Sequence, residues 1–280
     1  MPINFDKSKI FMKIENQGFK AVQPLYMFLA ILIVLSVVFN FLLANEGSIR
    51  SSKGHILVIT MMFIPTISYV ITKIIFKKKV DNIRFKIKHF TYALQAYTLP
   101  FLYVTVAYFI VWLCGFYNDT FGWLLLLSGI LATLINLLVV IGEEIGWRGF
   151  LLNELSKRIS PLKAAIIVGF IWSTWHIPGL IFTDYSSTSN LLIGIPSFII
   201  SLTMLSIPMA FYVFKSKSII PAILMHASHN ALIQTLYEPM SVQTPYSDLL
   251  KDETGLIFML VSVVVGMYFG FKLKEINIKI

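Results

Sequence analysis

The sequence predicts an all-α polytopic membrane protein with about eight transmembrane helices and both termini in the cytoplasm. First, the chain is 57% hydrophobic and only 13% charged, whereas soluble domains are about 45–50% apolar and about 25% charged. Second, the apolar residues are gathered into runs of about 20, the helix length that crosses a hydrocarbon core of about 30 Å. These runs lack the period-two alternation of barrel strands. Helices are therefore predicted, because they satisfy their backbone hydrogen bonds internally.

Eight windows of the sequence are long and apolar enough to span a bilayer. They are Leu25–Leu43, Ile56–Phe76, Tyr92–Phe116, Trp123–Ile141, Ala164–Phe182, Leu191–Phe214, Ile219–Leu236 and Leu256–Phe271. The first window is too long for the apolar part of a signal peptide, so we expect a permanent span. Without a polar linker or repeat between the windows, we expect residues 1–280 to form a single integral membrane domain.

The basic residues predict the orientation of these helices, because short cytoplasmic loops accumulate lysine and arginine. With both termini inside, 20 of the 23 basic residues are cytoplasmic, and only Arg50, Lys53 and Lys251 fall outside. The net charge of +9 then reflects orientation and attraction to anionic lipid rather than a nucleic-acid partner. The sequence is rich in lysine, isoleucine and asparagine, a composition typical of proteins from AT-rich genomes. We therefore expect the protein to lie in a bacterial plasma membrane.

Ionisable residues inside the predicted spans are the strongest functional signal. Glu143 and Glu144 lie in "VVIGEEIGWRGF", and His176, His226 and His229 lie in later spans. Each such group costs roughly 3 kcal/mol or more at membrane depth, so it is a functional hypothesis by default. A single membrane histidine could equally well bridge two helices, but five groups with regular spacing favour a site. The single cysteine, Cys114, excludes a disulfide framework and a multi-cysteine metal site.

The two glutamates are expected to have different partners. Glu144 and Arg148 are four residues apart, so they share a helix face and can form a charge-assisted pair. Glu143 is rotated by about 100° from Glu144 and shares its face with Trp147. Different environments separate the roles of two carboxyl groups. Glu143 is therefore the candidate base, and Glu144 is its charge-neutralised neighbour.

The histidines are predicted to approach these glutamates. The short turn "SKRISP" joins the helices of Glu144 and His176 into an antiparallel hairpin, which brings both residues to similar depth. In "LMHASHNAL", His226, His229 and Asn230 are at positions i, i+3 and i+4, on one face of the seventh helix. Because His226 lies close to the start of that helix, we expect the shared pocket nearer the cytoplasmic side.

The residue types allow two chemistries. In one, Glu143 and His176 hold a water and remove its proton, while His226 and Asn230 donate hydrogen bonds to the oxyanion that forms on a peptide carbonyl. In the other, Glu143, His176, His226 and the additional ligand candidate His229 bind a divalent metal such as zinc, which activates the water. The zinc-protease pattern H-E-x-x-H is absent from the sequence.

The segments "EEIGWRG", "WSTWH" and "HASHN" resemble, in order, the three motifs of the CPBP family of intramembrane proteases: E-E-x-x-x-R, F-x-x-x-H and H-x-x-x-N. This family includes CAAX proteases and bacteriocin-processing enzymes and is also called the Abi family. The resemblance covers roughly residues 123–236, the expected catalytic core. Trp172 replaces the usual phenylalanine of the second motif, a change expected to affect packing. The resemblance implies the catalytic residues Glu143, Glu144, Arg148, His176, His226 and Asn230.

The resemblance also implies an activity. The family hydrolyses peptide bonds in or near the membrane with a glutamate-activated water, so no cofactor is favoured, and zinc remains the alternative. His229 lies outside the motif, and we expect it to support or pack the site. The implied partners are a membrane-associated peptide and the bilayer. Eukaryotic relatives remove three residues from prenylated C-termini, and bacterial relatives are associated with bacteriocin maturation, self-immunity and peptide-signal processing.

Two other functions compete with this hypothesis. A non-enzymatic immunity or scaffold protein could keep the fold without using the site. A proton-coupled transporter would also carry intramembrane glutamate, arginine and histidine, although the sequence shows no paired repeat halves. The segment "YEPMSVQTPYSDLLKDETG" could cover the pocket, but we expect a solvated loop.

Overall fold

The structure, a computed structural model, describes residues 7–77, 79–186, 188 and 190–276, and for residues 7–21 it describes the helix without its side chains. Within these residues the regular elements are helices, apart from one isolated β-bridge between Tyr117 and Ser241. In chain order they are α1 (Lys7–Glu46), α2 (Ser52–Ile75), α3 (Phe90–Leu113), α4 (Trp123–Glu144), a first π-helix (Ile145–Leu151), α5 (Leu152–Ser156), α6 (Pro161–Trp175), α7 (Ile177–Phe182), α8 (Leu191–Ser216), α9 (Ile220–Ala231), a second π-helix (Leu232–Tyr237), α10 (Pro245–Asp248) and α11 (Leu256–Lys274).

The predicted class of polytopic α-helical membrane protein is confirmed. Among the described residues, seven helical segments are long and apolar enough to cross a membrane. They are Val22–Glu46, Ser52–Ile75, Phe90–Leu113, Trp123–Ser156, Pro161–Phe182, Leu191–Ser216 and Leu256–Lys274. The remaining predicted window, the seventh (Ile219–Leu236), forms α9 and the second π-helix. Its polar residues lower its hydropathy, so it is not among these seven segments. Lys78 and Lys279, which the orientation argument counts as cytoplasmic, and the two ends of the expected domain, 1–6 and 277–280, lie outside the described residues.

The loops that join the helices form two groups. The first group, called the upper end here, comprises residues 47–51, 114–122, 183–190 and 238–255. Its loops contact one another: the Ile49 amide donates to Asp184 Oδ1 at 2.6 Å, and the Asn118 amide donates to the Met240 carbonyl at 2.9 Å. The hydroxyls of Ser186 and Thr254, 3.3 Å apart, join these two pairs of loops. Four connections therefore lie at the same end of the bundle.

The second group, called the lower end here, comprises residues 76–89, 157–160 and 217–219. Lys157 Nζ lies 2.8 Å from the Asp81 carboxylate, and the Ile219 amide donates to the Arg84 carbonyl at 3.0 Å. Hydrogen bonding by Lys157 lowers the pKa of Asp81, against the opposing effect of partial burial. These contacts bring the remaining loops together at the opposite end from the first group.

The polar helix that begins at Ile220 runs between these two ends. It starts beside Arg84 at the lower end, and its π-helical continuation stops at Tyr237, just before Met240 contacts Asn118 at the upper end. It packs mainly against α3 and α4, which shelter its polar residues from lipid. With this helix included, the part of the chain that the structure describes crosses the bundle eight times, as the sequence predicts.

The segment that carries the two glutamates packs unusually close to α2. A Cβ atom added at Gly146 would lie 2.3 Å from Pro65 Cβ, and one added at Gly142 would lie 2.7 Å from the Met62 carbonyl oxygen. These glycines let the end of α4 and the first π-helix lie directly on α2. Such π-helical turns inside longer helices are frequent at functional sites.

The break between α6 and α7 fixes the second motif. Ser160 caps α6, its Oγ accepting a hydrogen bond from the Lys163 amide, and Pro161 occupies the first turn. α6 ends at Trp175, and α7 starts at Ile177 with Pro178 in its first turn. His176 therefore sits at the junction of two helices, in line with the helix break that the following proline predicts.

Candidate active site

Glu143 is buried, with 2% of its surface exposed, and two tryptophans hold its carboxylate. Glu143 Oε2 accepts a hydrogen bond from Trp172 Nε1 at 2.7 Å and a second from Trp147 Nε1 at 3.3 Å. The contact with Trp147 follows the predicted i, i+4 spacing, whereas the contact with Trp172 joins two helices. Indole N–H groups can only donate, so this environment suits the ionised carboxylate.

Glu144 is fully buried, and one of its carboxylate oxygens contacts both Arg148 and His226. Its Oε1 accepts from Arg148 Nη1 at 2.8 Å, which is the ion pair that the sequence predicts, and lies 2.9 Å from His226 Nδ1. A carboxylate cannot donate, so His226 Nδ1 carries the proton in this contact. Glu144 thereby neutralises Arg148 and fixes the orientation of the His226 ring.

His176 is oriented by a backbone carbonyl. Its Nδ1 lies 2.8 Å from the Trp172 carbonyl oxygen, which can only accept, so Nδ1 carries the proton and Nε2 is left as the second nitrogen. The rings of Trp175 and Phe198 pack against the imidazole at centroid distances of 4.9 and 5.7 Å. Glu143 and His176 thus both contact Trp172, and they come from the two helices that the sequence predicts as a hairpin.

Trp172 contacts more of the candidate site than the sequence indicates. Besides its bond to Glu143, its ring lies 4.1 Å from the centre of the Arg148 guanidinium, a cation–π arrangement, and 5.2 Å from the His226 ring. The expectation that this residue affects only packing is incomplete. The available signal was the change from phenylalanine to tryptophan, which adds one N–H donor.

His229 also lies at the cavity but has both ring nitrogens engaged. Its Nδ1 is 2.8 Å from the Tyr103 hydroxyl, and its Nε2 is 3.2 Å from Glu253 Oε1. Burial raises the pKa of Glu253, but the hydrogen bond and charge of His229 lower it further, to below its ordinary value. No motif marks Tyr103 or Glu253 in the sequence, because they lie 126 and 24 residues from His229.

These groups surround one cavity of about 760 Å³. Four of the six motif residues line it: Glu143, His176, His226 and Asn230. The other two, Glu144 and Arg148, are buried behind this wall. The expectation of a solvated loop after the seventh predicted span is wrong, since five residues of that loop line the cavity: Glu238, Pro239, Gln243, Asp252 and Glu253.

A buried lysine holds this loop in place. Lys251 is 1% exposed, and its ammonium lies 2.9 Å from Glu238 Oε2 and 2.6 Å from Gln243 Oε1. A third contact, at 3.4 Å, links Lys251 to Asp248 Oδ1. The loop therefore has its own internal network and forms a wall of the cavity.

The four ligand candidates, Glu143, His176, His226 and His229, do not form a ready-made metal cluster in this structure. Among the residues that the structure describes, no group of three or more His, Cys, Asp or Glu side chains could hold a metal ion. Glu143 Oε2 already accepts from two indoles, and Nδ1 of His226 is committed to Glu144.

Comparison with known proteins agrees with the motifs. The fold defines a multi-pass membrane protein, and residues 123–232 match the family model for Rce1-like type II CAAX prenyl endopeptidases. The chain is 33% identical over 135 residues to CAAX prenyl protease 2 of Methanococcus maripaludis, and the match covers 46% of each chain. The chain thus spans about half the length of this curated relative. The resemblance to the CAAX-protease family of intramembrane proteases is confirmed for the part of the chain that contains all six motif residues.

Proposed function

We propose that the protein is an intramembrane endopeptidase that hydrolyses a peptide bond of a membrane-associated peptide or protein. The observation that carries this proposal is the pairing of Glu143 and His176 through Trp172 at a single cavity. A carboxylate and an imidazole at one cavity are the groups that general-base hydrolysis requires. The similarity of residues 123–232 to CAAX prenyl endopeptidases supports the same class of reaction.

In the proposed mechanism, a water in the cavity donates one hydrogen bond to Glu143 and the other to Nε2 of His176. Glu143 takes the first proton as the water oxygen attacks the peptide carbonyl carbon, and it later gives this proton to the leaving amine. Asn230 donates its side-chain N–H to the developing oxyanion. His226, whose Nδ1 is held by Glu144, lies beside the same oxyanion and donates to it when Nε2 carries a proton.

Two supporting groups keep this arrangement in place. Glu144 holds the His226 ring at Nδ1, which leaves Nε2 as the second nitrogen of a residue that lines the cavity. Arg148 and the Trp172 ring support each other through their cation–π contact. Neither Glu144 nor Arg148 needs to touch the substrate, since both act through residues that line the cavity.

The biological setting belongs to the same proposal. The curated relative is described as a CAAX prenyl protease, which suggests a membrane-anchored chain as substrate. For this protein we propose a multi-pass protein of a bacterial plasma membrane that matures a peptide or contributes to bacteriocin self-immunity. The lipid bilayer is the second partner, because it holds both enzyme and substrate.

The test is cleavage of a membrane-anchored reporter library by the purified protein in detergent. We expect Glu143→Ala to abolish cleavage while the protein keeps its thermal stability. The matched control is Glu275→Ala, an exposed glutamate beyond α11, which should cleave like the wild type. Each sample is repeated with a chelator. Loss of wild-type activity in chelator, restored by one metal, would contradict the metal-free mechanism, and full activity of Glu143→Ala would contradict the assignment of the base. Absence of cleavage in every sample would favour the non-enzymatic immunity or scaffold function.

A further inference from the structure

We propose that the cavity opens at the non-cytoplasmic face of the membrane, so that the substrate is an exported, membrane-anchored peptide whose scissile segment enters from that face. This inference rests on the proposed endopeptidase function and specifies its substrate class. The expected position of the pocket nearer the cytoplasmic side concerns the depth of the catalytic groups, whereas this inference concerns the face on which the cavity opens. Three features of the described residues carry it: the loops that line the cavity, the packing below Glu143, and the charges at the two ends.

The loops that line the cavity all belong to the upper end. Besides residues of the helices, its wall contains residues of three upper loops, among them Ile49, Arg50, Tyr185, Ser186, Glu238 and Glu253. In the part of the chain that the structure describes, no residue of 76–89, 157–160 or 217–219 lines it. The cavity therefore extends from the catalytic groups toward the upper end alone.

The chain below Glu143 closes the opposite route. From this residue the first π-helix and α5 run to Lys157 at the lower end. Gly146 leaves no space for a Cβ against Pro65, and a Cβ added at Gly149 would lie 2.8 Å from Ile83 of the lower loop. Trp147 is fully buried in the same segment. A peptide approaching from the lower end would have to separate this packing.

The two ends differ strongly in basic residues. Seven lysines and arginines lie between Lys73 and Lys88, and the lower end also has Lys157, Arg158, Lys163, Lys215, Lys217, Lys272 and Lys274. The upper end has Arg50, Lys53 and Lys251, of which Lys251 is buried in the loop network. Short loops rich in lysine and arginine stay in the cytoplasm. The lower end is therefore cytoplasmic, and the cavity opens on the other face.

This sidedness restricts the substrate. A cytosolic protein modified at its C-terminus would present its scissile bond at the closed, basic end. An exported precursor held in the membrane by an anchor would present its polar segment to the upper loops, within reach of Glu143. The reaction that supplies the substrate is then a translocation step, and the cleaved polar fragment is released outside the cytoplasm.

The sidedness can be measured without any activity. The natural single cysteine, Cys114, is exposed at the upper end, directly after α3. In a Cys114→Ser background, Tyr246→Cys adds a thiol at an exposed upper position and Lys86→Cys adds one at an exposed lower position. A membrane-impermeant maleimide applied to intact cells should label Cys114 and Tyr246→Cys, whereas Lys86→Cys should react only after permeabilisation. The reverse pattern would overturn the inference.

A second experiment measures the face from which substrate is cleaved. A reporter peptide that is cleaved in detergent is anchored in vesicles with its scissile segment on one face only. We expect cleavage when the segment is on the non-cytoplasmic face of vesicles that contain the wild-type protein, and none with Glu143→Ala. Cleavage only on the cytoplasmic face would overturn the inference. Absence of cleavage in detergent would count against the proposed function, and the labelling pattern would still decide the sidedness.

Discussion

Trp172 illustrates how one side chain can join parts of a site that are separate in sequence. It donates to Glu143, stacks on Arg148, contacts the ring of His226 and orients His176 through its carbonyl. A phenylalanine at this position would keep the packing and the carbonyl but lose the donor. The indole N–H is therefore the feature to test.

We predict that Trp172→Phe lowers cleavage while the protein stays folded. A hydrogen bond to a charged group contributes about 1.5–3 kcal/mol, which corresponds to a loss of about 10- to 100-fold in kcat if the bond persists in the transition state. The measurement is reporter cleavage together with thermal unfolding in detergent. Trp112→Phe is the control, because its indole donates to Ser241 at the upper end. Equal activities of Trp172→Phe and wild type would limit the role of Trp172 to packing.

Glu144 and Arg148 form a buried ion pair in the same site. Both are fully buried, and Nε and Nη2 of Arg148 have no hydrogen-bond partner within the described residues. We predict that Glu144→Ala destabilises the protein by about 3–5 kcal/mol, because it leaves a buried guanidinium without its counter-ion. Unfolding by heat or denaturant in detergent measures this change.

The double variant separates charge from packing. Glu144→Ala combined with Arg148→Met removes both charges, so it should be more stable than Glu144→Ala alone. Its cleavage activity should remain low, because His226 has lost the partner at Nδ1. If the double variant is as unstable as the sum of the single changes, the two residues do not act as a pair.

At the scale of secondary-structure elements, the contact between α2 and the first π-helix depends on glycine. Gly146 faces Pro65 so closely that any side chain must displace one of the two elements. This contact holds Glu143 and Glu144 at the level of the cavity. Its disruption should therefore reduce both stability and activity.

We predict that Gly146→Ala destabilises the protein by about 1–3 kcal/mol, the usual cost of overpacking a core. Gly129→Ala is a matched control in α4, since the nearest atom to its added Cβ is 3.9 Å away. In that open position, alanine should be neutral or stabilising, because it favours the helix over glycine by about 1 kcal/mol. Equal unfolding temperatures for the two variants would contradict the close approach.

At the scale of the whole molecule, the upper end closes over the cavity through a contact between distant segments. Glu253 in the loop before α11 bonds to His229 of α9, which in turn contacts Tyr103 of α3. The pKa of Glu253 lies below its ordinary value of 4.5. The contact therefore stabilises the closed loop in full above that pH and weakens as pH falls through the lower pKa.

We predict that acidification loosens this loop in the wild type and that Glu253→Gln removes this acid dependence. Asp252 acts in the opposite sense, because burial and the charges of Glu253 and Glu238 raise its pKa well above the ordinary value. Comparison of the two proteins isolates the contribution of Glu253. Protease nicking within residues 238–255 across an acidic pH series reports the opening. An identical pH response in both proteins would contradict the role of the Glu253–His229 contact.

The position of α9 and the second π-helix inside the bundle explains why a segment of low hydropathy can cross it. α9 and the second π-helix carry His226, His229 and Asn230, yet they cross the bundle between its two ends. Their polar face meets the cavity, and α3 and α4 cover the remaining sides. A polar helix is acceptable at membrane depth when protein and a hydrated cavity replace lipid around it.

The sequence by itself determined the membrane class, the eight crossings, the six motif residues and the Glu144–Arg148 pair. These features are local, because apolar run length sets a span and i, i+4 spacing sets a shared helix face. Only the tertiary structure decided that Trp172 donates to Glu143, that His226 contacts Glu144 across 82 residues, and that the loop at 238–255 forms a wall of the cavity. Periodicity in the sequence specifies which face of a helix is polar. The hydrogen-bond partner of that face lies on another helix, and only the packing of the helices against one another decides which residue it is.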